Sequence, residues 1–162
     1  GEVGEIVIKG PDIMAGYWQA SDLTEEVMKD GAYYSGDLAV VDDEGYIFIV
    51  DRKKEMIISG GFNIYPSEVE QVLYRHPAVY EAAVVGVPDE DWGEAIKAVC
   101  VLKDGAEAGE AELIAYCREN LPGFKTPRSV DFIDELPKNP NGKIVRRVVR
   151  DSYWADQERN VG

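Results

Sequence analysis

The sequence predicts an α+β fold in two parts: a β-rich stretch over residues 1–51 and an α+β unit over residues 55–152, joined at residues 52–54 and followed by a tail at 153–162. Three observations carry this. Glu5-Ile6-Val7-Ile8-Lys9 alternates, and Leu38–Val41 and Tyr46–Val50 flank Asp42-Asp43-Glu44-Gly45, so the first part reads as strands and a hairpin. Beyond Ile57, a helical apolar face (Val69, Val72, Leu73) is followed by Val, Ile and Ala runs at 79–87 and 95–102. Between the two lies Asp51-Arg52-Lys53-Lys54-Glu55, a run of charges with no expected place in a core. Charge alone reads equally as a solvated loop.

In order along the chain, the first strand stops at Gly10-Pro11. A short helix is expected from Asp22 to Lys29, with Asp22 and Glu25 as a capping arrangement and Gly31 as its end. Ile57-Ile58-Ser59 forms a strand that breaks at Gly60-Gly61. Pro66 opens the next helix, with Ser67 and Glu70 as a capping box, and Pro77 forces an end by His76. Two strands follow. Then come a helix over Glu110–Asn120 with Leu113, Ile114 and Cys117 on one side, a strand over Val130–Ile133, and a last helix over Ile144–Tyr153. No internal repeat occurs.

The composition, 45% hydrophobic and 30% charged over 162 residues, excludes wholesale disorder. A net charge of -14 argues against a general nucleic-acid surface, which phosphates would find repulsive. No apolar run approaches the roughly 18 residues of a membrane span. Gly1 stands where a start would have Met, and no basic region or apolar core follows, so the chain reads as a fragment or processed piece without a signal peptide. Cys100 and Cys117 have no metal or redox spacing and read as buried thiols of a reducing compartment.

The residues also exclude several kinds of site. His76 is the single histidine, which rules out a His-based metal cluster within the chain, and no metal site is expected. Its place at a helix end suits a terminal cation or a packing residue. No Ser-His-Asp array is visible, and Asn141-Gly142-Lys143-Ile144 does not complete a phosphate loop. Pro137 to Lys143 is nevertheless a turn-forming loop, and no acid occurs from Lys138 to Arg150. Lys143, Arg146, Arg147 and Arg150 therefore form a positive island that a phosphate within about 10 Å would feel, or else a basic helix turned to water. Asp37, after Gly36, could accept both hydroxyls of a vicinal diol such as ribose, or simply belong to a common turn. Gly60-Gly61 permits close approach of a ligand, or again only a turn.

Together these pieces are far more specific. The chain resembles the C-terminal third of the adenylate-forming superfamily: acyl- and aryl-CoA ligases, luciferases and peptide-synthetase adenylation domains. The resemblance runs through Gly4–Gly10 and Gly16-Tyr17-Trp18, then Tyr34-Ser35-Gly36-Asp37, which has Ser at the usual Thr. It continues through Asp51–Ile57, Gly61–Glu70, Leu121–Pro127 and Asn141-Gly142-Lys143. The hinge motif Asp51–Ile57 and the run Tyr65-Pro66-Ser67-Glu68-Val69-Glu70 are most similar to medium- or long-chain acyl-CoA ligases; peptide-synthetase domains more often carry Asp where this chain has Lys54, and Arg-Ile-Glu where it has Asn63-Ile64-Tyr65.

The resemblance implies that residues 1–51 end a large AMP-binding domain as strands of its barrel, and that residues 55–152 form its small mobile α+β domain. It implies an AMP-forming reaction: a carboxylate, that of a fatty acid in this reading, attacks the α-phosphate of ATP, and CoA then displaces AMP from the acyl-adenylate. Asp37 would hold the ribose hydroxyls, Arg52 the ribose or phosphate, and Lys54 would be the pivot. Gly60 and Gly61 would lie by the pantetheine tunnel, and Lys143 would reach the α-phosphate. ATP/AMP, CoA and Mg2+ are the expected cofactors, the metal arriving with ATP in the absent N-terminal domain. The carboxylic acid, CoA and that domain are the expected partners, with a lysine acetyltransferase acting on Lys143 as a further one. The location implied is cytoplasmic, or peripheral at a membrane. The isolated chain is expected to be inactive. An aryl-CoA ligase, a luciferase-like enzyme, or a stand-alone CoA- or partner-binding module are the alternatives.

Overall fold

A computed structural model describes residues 1–155. The chain divides into two compact units, Gly1–Lys54 and Glu55–Gly162.

The first unit is a four-stranded sheet built around one long strand. Its elements are β1 (Gly4–Ile8), α1 (Ser21–Val27), β2 (Met28–Lys29), β3 (Ala32–Val41) and β4 (Ile47–Arg52). Strand β3 pairs antiparallel with β1, with β2 at its start and with β4 at its end. The Asp42 carboxylate closes the β3–β4 hairpin by accepting the N–H groups of Glu44 and Tyr46 at 3.0 and 2.8 Å. Helix α1 differs from expectation at both ends. Its cap is Ala20, not Asp22. Thr24 pins the first turn, its hydroxyl accepting from Tyr17 N at 2.9 Å and donating to Ala20 O at 2.9 Å. Its C-terminus gives way to β2, because Asp30 and Gly31 both take positive φ (51° and 69°) and make a two-residue hairpin turn. Among the described residues of this unit the buried apolar side chains are Ala32, Leu38 and Ala39, while Val7, Ile8, Trp18, Ile47, Phe48 and Ile49 are exposed.

The second unit contains β5 (Ile57–Ser59), β6 (Phe62–Ile64), α2 (Pro66–Leu73), β7 (Val79–Asp89), β8 (Gly93–Leu102), α3 (Glu110–Asn120), β9 (Ser129–Phe132) and α4 (Arg146–Asp151). Its sheet runs β6-β5-β8-β7, with β9 parallel to β8. Both faces are covered. Val69, Val72 and Leu73 of α2 and Leu113 and Cys117 of α3 meet Ala82, Val84, Ile96, Ala98 and Cys100 on one side. Leu136, from the loop after β9, and Val149 of α4 meet Ala83, Val85, Val99 and Val101 on the other. Two-sided burial is why β7 and β8 read as continuous apolar runs. Each fully buried large side chain here is worth about 1.5–3 kcal/mol. Burial pushes the Cys100 thiol up to about 12 and Cys117 up to about 11, so both stay protonated and inert. His76 is a packing residue: it is buried, edge-on to Tyr116, with Nε2 3.4 Å from Glu112.

Three further expectations are corrected. Tyr65, not Ser67, is the cap of α2, because Pro66 occupies the first helical position. The last helix starts at Arg146 and ends at Asp151, since Ile144 instead bridges Lys138 across a turn. Asp51 is buried despite lying in the charged run, its carboxylate accepting the Arg52 N–H at 2.8 Å. Of the tail expected at 153–162, Tyr153 and Trp154 hydrogen-bond to Asp131 and to Gly86 O, at 2.6 and 2.8 Å; residues 156–162 lie outside the described residues. No helix among the described residues is long and apolar enough to cross a membrane.

Asp131 gives this fold a pH dependence. The Lys97 ammonium, 2.8 Å away, and then the Tyr153 hydroxyl hold its carboxyl below the ordinary 3.8. A depressed carboxyl contributes stability above its unfolded pKa and loses it as pH falls through the folded one. Asp131→Asn is therefore expected to lower Tm near neutrality, with the gap to wild type closing below about pH 4. Thermal melts across pH check this, and a gap that persists undiminished into strong acid would contradict it.

Candidate active-site residues

In the first unit the structure brings two of the expected residues together. Asp37 and Arg52 sit directly opposite in the β3–β4 ladder, and Arg52 Nη1 donates to Asp37 Oδ1 at 2.5 Å. Asp37 is not on a free turn. The β1–β3 register slips here, so that Ser35, Gly36 and Asp37 bulge opposite Ile6. Ser35 Oγ donates to Ile6 O at 2.8 Å and accepts from Asp37 N at 3.1 Å, and Gly36 takes φ +73°. A bulge re-aims a side chain out of the regular pleat. Both side chains keep solvent access, 58% for Arg52 and 32% for Asp37, so the pair is open to a ligand.

The basic run is shared out over this unit. Arg52 pairs with Asp37 of β3, Lys53 with Glu5 of β1 at 3.0 Å, and Lys54 with Glu26 of α1 at 3.6 Å. The next residue, Glu55, pairs instead with Arg146 of the second unit. Among these pairs the partner's unit changes between Lys54 and Glu55, at the boundary of the two compact units.

In the second unit Lys143 ends a braced loop. The Asn139 side-chain oxygen accepts the N–H groups of Asn141 and Lys143 at 3.0 and 2.9 Å. Asn139 N donates to Lys143 O and Gly142 N to Asn139 O, both at 2.9 Å. The positive island is smaller than the sequence suggests, because acids from outside the run enter it, most of them distant in sequence. Lys138 pairs with Glu81 at 2.8 Å, Arg146 with Glu55 and Glu70, and Arg150 with Asp151. Lys143 is exposed, and its ammonium has no ion pair or hydrogen bond with another described residue.

Gly60 and Gly61 form the β5–β6 turn beside a groove of about 660 Å3. Phe62 and Phe124 stack in its lining with centroids 4.8 Å apart. The Arg128 guanidinium lies 4.9 Å over the Trp92 ring and 3.9 Å from Asp89, and Arg118 is a further cation of the lining. Thr126, also in the lining, keeps a buried hydroxyl with no hydrogen-bond partner among the described residues. Gly60 has φ +56° and donates its N–H to Trp92 O at 2.9 Å; a Cβ there would lie 2.2 Å from the indole. Lys143 is not part of this lining. Sequence reasoning found the two glycines but not Trp92, Arg118 or Arg128, which carry no local signature. It read the buried carboxylate Glu70 as half of a capping box and missed the buried carboxylate Glu94. The first binds Val84 N and Arg146; the second accepts Ile58 N at 3.1 Å where β5 diverges from β8.

Residues 68–143 match the family described as AMP-binding enzyme C-terminal domain. This part of the chain belongs to the family of C-terminal domains of AMP-binding enzymes. The domain and its preceding strands are 52% identical over 151 residues to a long-chain-fatty-acid–CoA ligase of Salmonella typhimurium, covering 93% of this chain and 27% of that one. They are 53% identical over 150 residues to a feruloyl-CoA synthase of Amycolatopsis sp., covering 93% and 30%. Among solved structures, the ATP-bound MatB of Rhodopseudomonas palustris aligns with a TM-score of 0.88 at 39% identity, over 96% of this chain and 31% of that one. The chain therefore spans 27–31% of the length of these relatives.

Proposed function

We propose that the chain is the C-terminal part of an AMP-forming acyl-CoA ligase. In this reading residues 1–51 complete a larger nucleotide-binding domain, residues 52–54 are the hinge, and residues 55–152 are the lobe that turns between two half-reactions. The observation that carries it is the Lys143 ammonium: among the described residues it has no partner, and it stands exposed on a braced loop, while Lys138, Arg146 and Arg150 around it are spent on carboxylates.

Adenylation brings a carboxylate to the α-phosphate of ATP, so two anions must meet. A cation about 4 Å away at an effective dielectric near 20 contributes about 4 kcal/mol toward that encounter. Asp37, through the bulge that aims it, would accept the ribose hydroxyls, with Arg52 beside it for the ribose or phosphate. Once the acyl-adenylate exists the ammonium has no further work. Withdrawing the lobe would clear that side for the CoA thiol, which attacks the acyl carbon and releases AMP. The groove beside Gly60 and Gly61 suits the nucleotide end of CoA. Phe62, Trp92 and Phe124 offer ring faces for adenine, and Arg118 and Arg128 offer charge for phosphates. Mg2+ would accompany ATP in the remainder of the enzyme; among the described residues no three metal-ligating groups converge. ATP and CoA as substrates fit a cytoplasmic enzyme. Nothing in the fold or the relatives supports a lysine acetyltransferase as a partner.

A fatty acid is the preferred substrate class, in line with the 52% relative; an aromatic acid is the second reading, favoured by the 53% likeness to a feruloyl-CoA synthase. The test is the full-length parent with ATP, CoA and either a fatty acid or a hydroxycinnamic acid. AMP, pyrophosphate and thioester should form in equal amounts, with the fatty acid preferred, and the 162-residue chain alone should give no turnover. ADP and phosphate as products would reject the reading.

A further inference from the structure

Arg146 begins α4, a few residues after Lys143, and its guanidinium serves two carboxylates at once. Nε and Nη2 donate to Glu70 Oε1 and Oε2 at 2.6 and 2.5 Å, a bidentate fork, while Nη1 donates to Glu55. Glu70 is itself fixed. It is buried in α2, and its Oε1 also accepts the Val84 N–H at 2.9 Å, on the side of β7 turned away from β8. Glu55 is the first residue of the second unit, adjoining Lys54. The stem of the lysine loop closes just before the fork: Lys138 bridges Ile144, and Val145 N donates to Pro137 O at 2.8 Å. A continuous path therefore runs from the boundary residue through Glu55 and Arg146 to the stem that presents Lys143, with Glu70 tying it to the sheet.

We propose that Arg146 is a positioning residue for Lys143, coupling the loop to Glu55 so that rotation at the hinge reaches the ammonium without slack. The assignment rests on the role given to Lys143 in the preceding reading. The geometry needs arginine. A guanidinium offers a planar set of N–H groups that meets two carboxylates together, whereas an ammonium is a point charge that would favour one. Glu70 alone would fasten the loop to the sheet; the additional bond to Glu55 is what fastens it to the boundary. On this assignment the contact to Glu55 acts through Lys143, so its loss should be felt where Lys143 acts and not in the thioester-forming step.

The test uses the full-length parent, with adenylation followed by pyrophosphate release and thioester formation followed from supplied acyl-adenylate. Glu55→Gln keeps the shape and the Arg146–Glu70 fork but removes the charge at the boundary. It should lower adenylation by roughly 10–100-fold, the scale of a small misplacement of a catalytic group, and leave thioester formation unchanged. Arg146→Lys should show the same selective loss. A purely structural role would not predict the decisive readout: in a Lys143→Ala background, Glu55→Gln should cause no further loss of adenylation, because its effect passes through the missing ammonium. Equal losses in both half-reactions, a silent Glu55→Gln, or an additive loss in the Lys143→Ala background would each overturn the coupling while leaving the reading of Lys143 intact. If Lys143→Ala alone spares adenylation, that reading fails and the coupling fails with it.

Discussion

Lys143→Ala in the full-length parent is expected to lower acyl-adenylate formation by roughly 10²–10³-fold, the usual cost of removing one preorganised charge donor. Thioester formation from supplied acyl-adenylate should stay near wild type. The size follows from what the ammonium does in the proposed reading. Without it the carboxylate and the α-phosphate would approach with their repulsion screened only by water and by the remaining nucleotide-binding groups. The selectivity follows from the loop. Asn139 holds the backbone of Asn141 and Lys143 by two hydrogen bonds, so in the proposed reading the base of the side chain is carried at a fixed place on the lobe and the ammonium would work only when the lobe delivers it. Lys143→Arg is expected to recover part of the rate, since the charge returns with a broader head on a longer stem. Pyrophosphate-release and single-turnover thioester assays separate the two steps. Equal loss in both would show that Lys143 supports the lobe and not the reaction.

Much of the architecture could be read because its signals are local. Alternation marked β1, the Gly-containing run marked the β3–β4 hairpin, and the spacing of Val69, Val72 and Leu73 marked the inner face of α2. The misreadings come from interactions that no local window contains. Ser67 and Glu70 have capping-box spacing, yet Glu70 is drawn inward by Val84 and by Arg146, 76 residues away in sequence. The same long-range pairing neutralises Arg146, which by sequence looked free for a phosphate. Asp51 was placed outside any core by its charged neighbours and is buried all the same. Asp30-Gly31 was a missed local signal, a strong hairpin dipeptide read only as a helix stop. At the site, residues on distinctive motifs were found, while the aromatic and basic lining of the groove was not. Trp92, Phe124 and Arg128 converge only after β5, β8 and the loop before β9 are assembled.

Gly60→Ala should produce the complementary defect, a loss of thioester formation of roughly 10–100-fold with adenylation largely preserved. Two effects act at this position, and Gly61 separates them. Both glycines have positive φ, +56° and +81°, so alanine at either costs roughly 1–2 kcal/mol of backbone strain. At Gly61 the new methyl meets nothing within 4 Å, whereas at Gly60 it would lie 2.2 Å from the Trp92 ring. The indole must therefore move, disturbing the Arg128 stacked on it and with it the proposed CoA groove. Gly61→Ala should accordingly lose thermal stability through strain alone and Gly60→Ala at least as much, while Gly60→Ala alone shows a large rise in the KM for CoA. Measuring both variants of the parent by melt and by half-reaction assay distinguishes strain from groove deformation. If the two substitutions impaired the CoA step equally, the effect would belong to the turn backbone, and Trp92 would have no part in holding CoA.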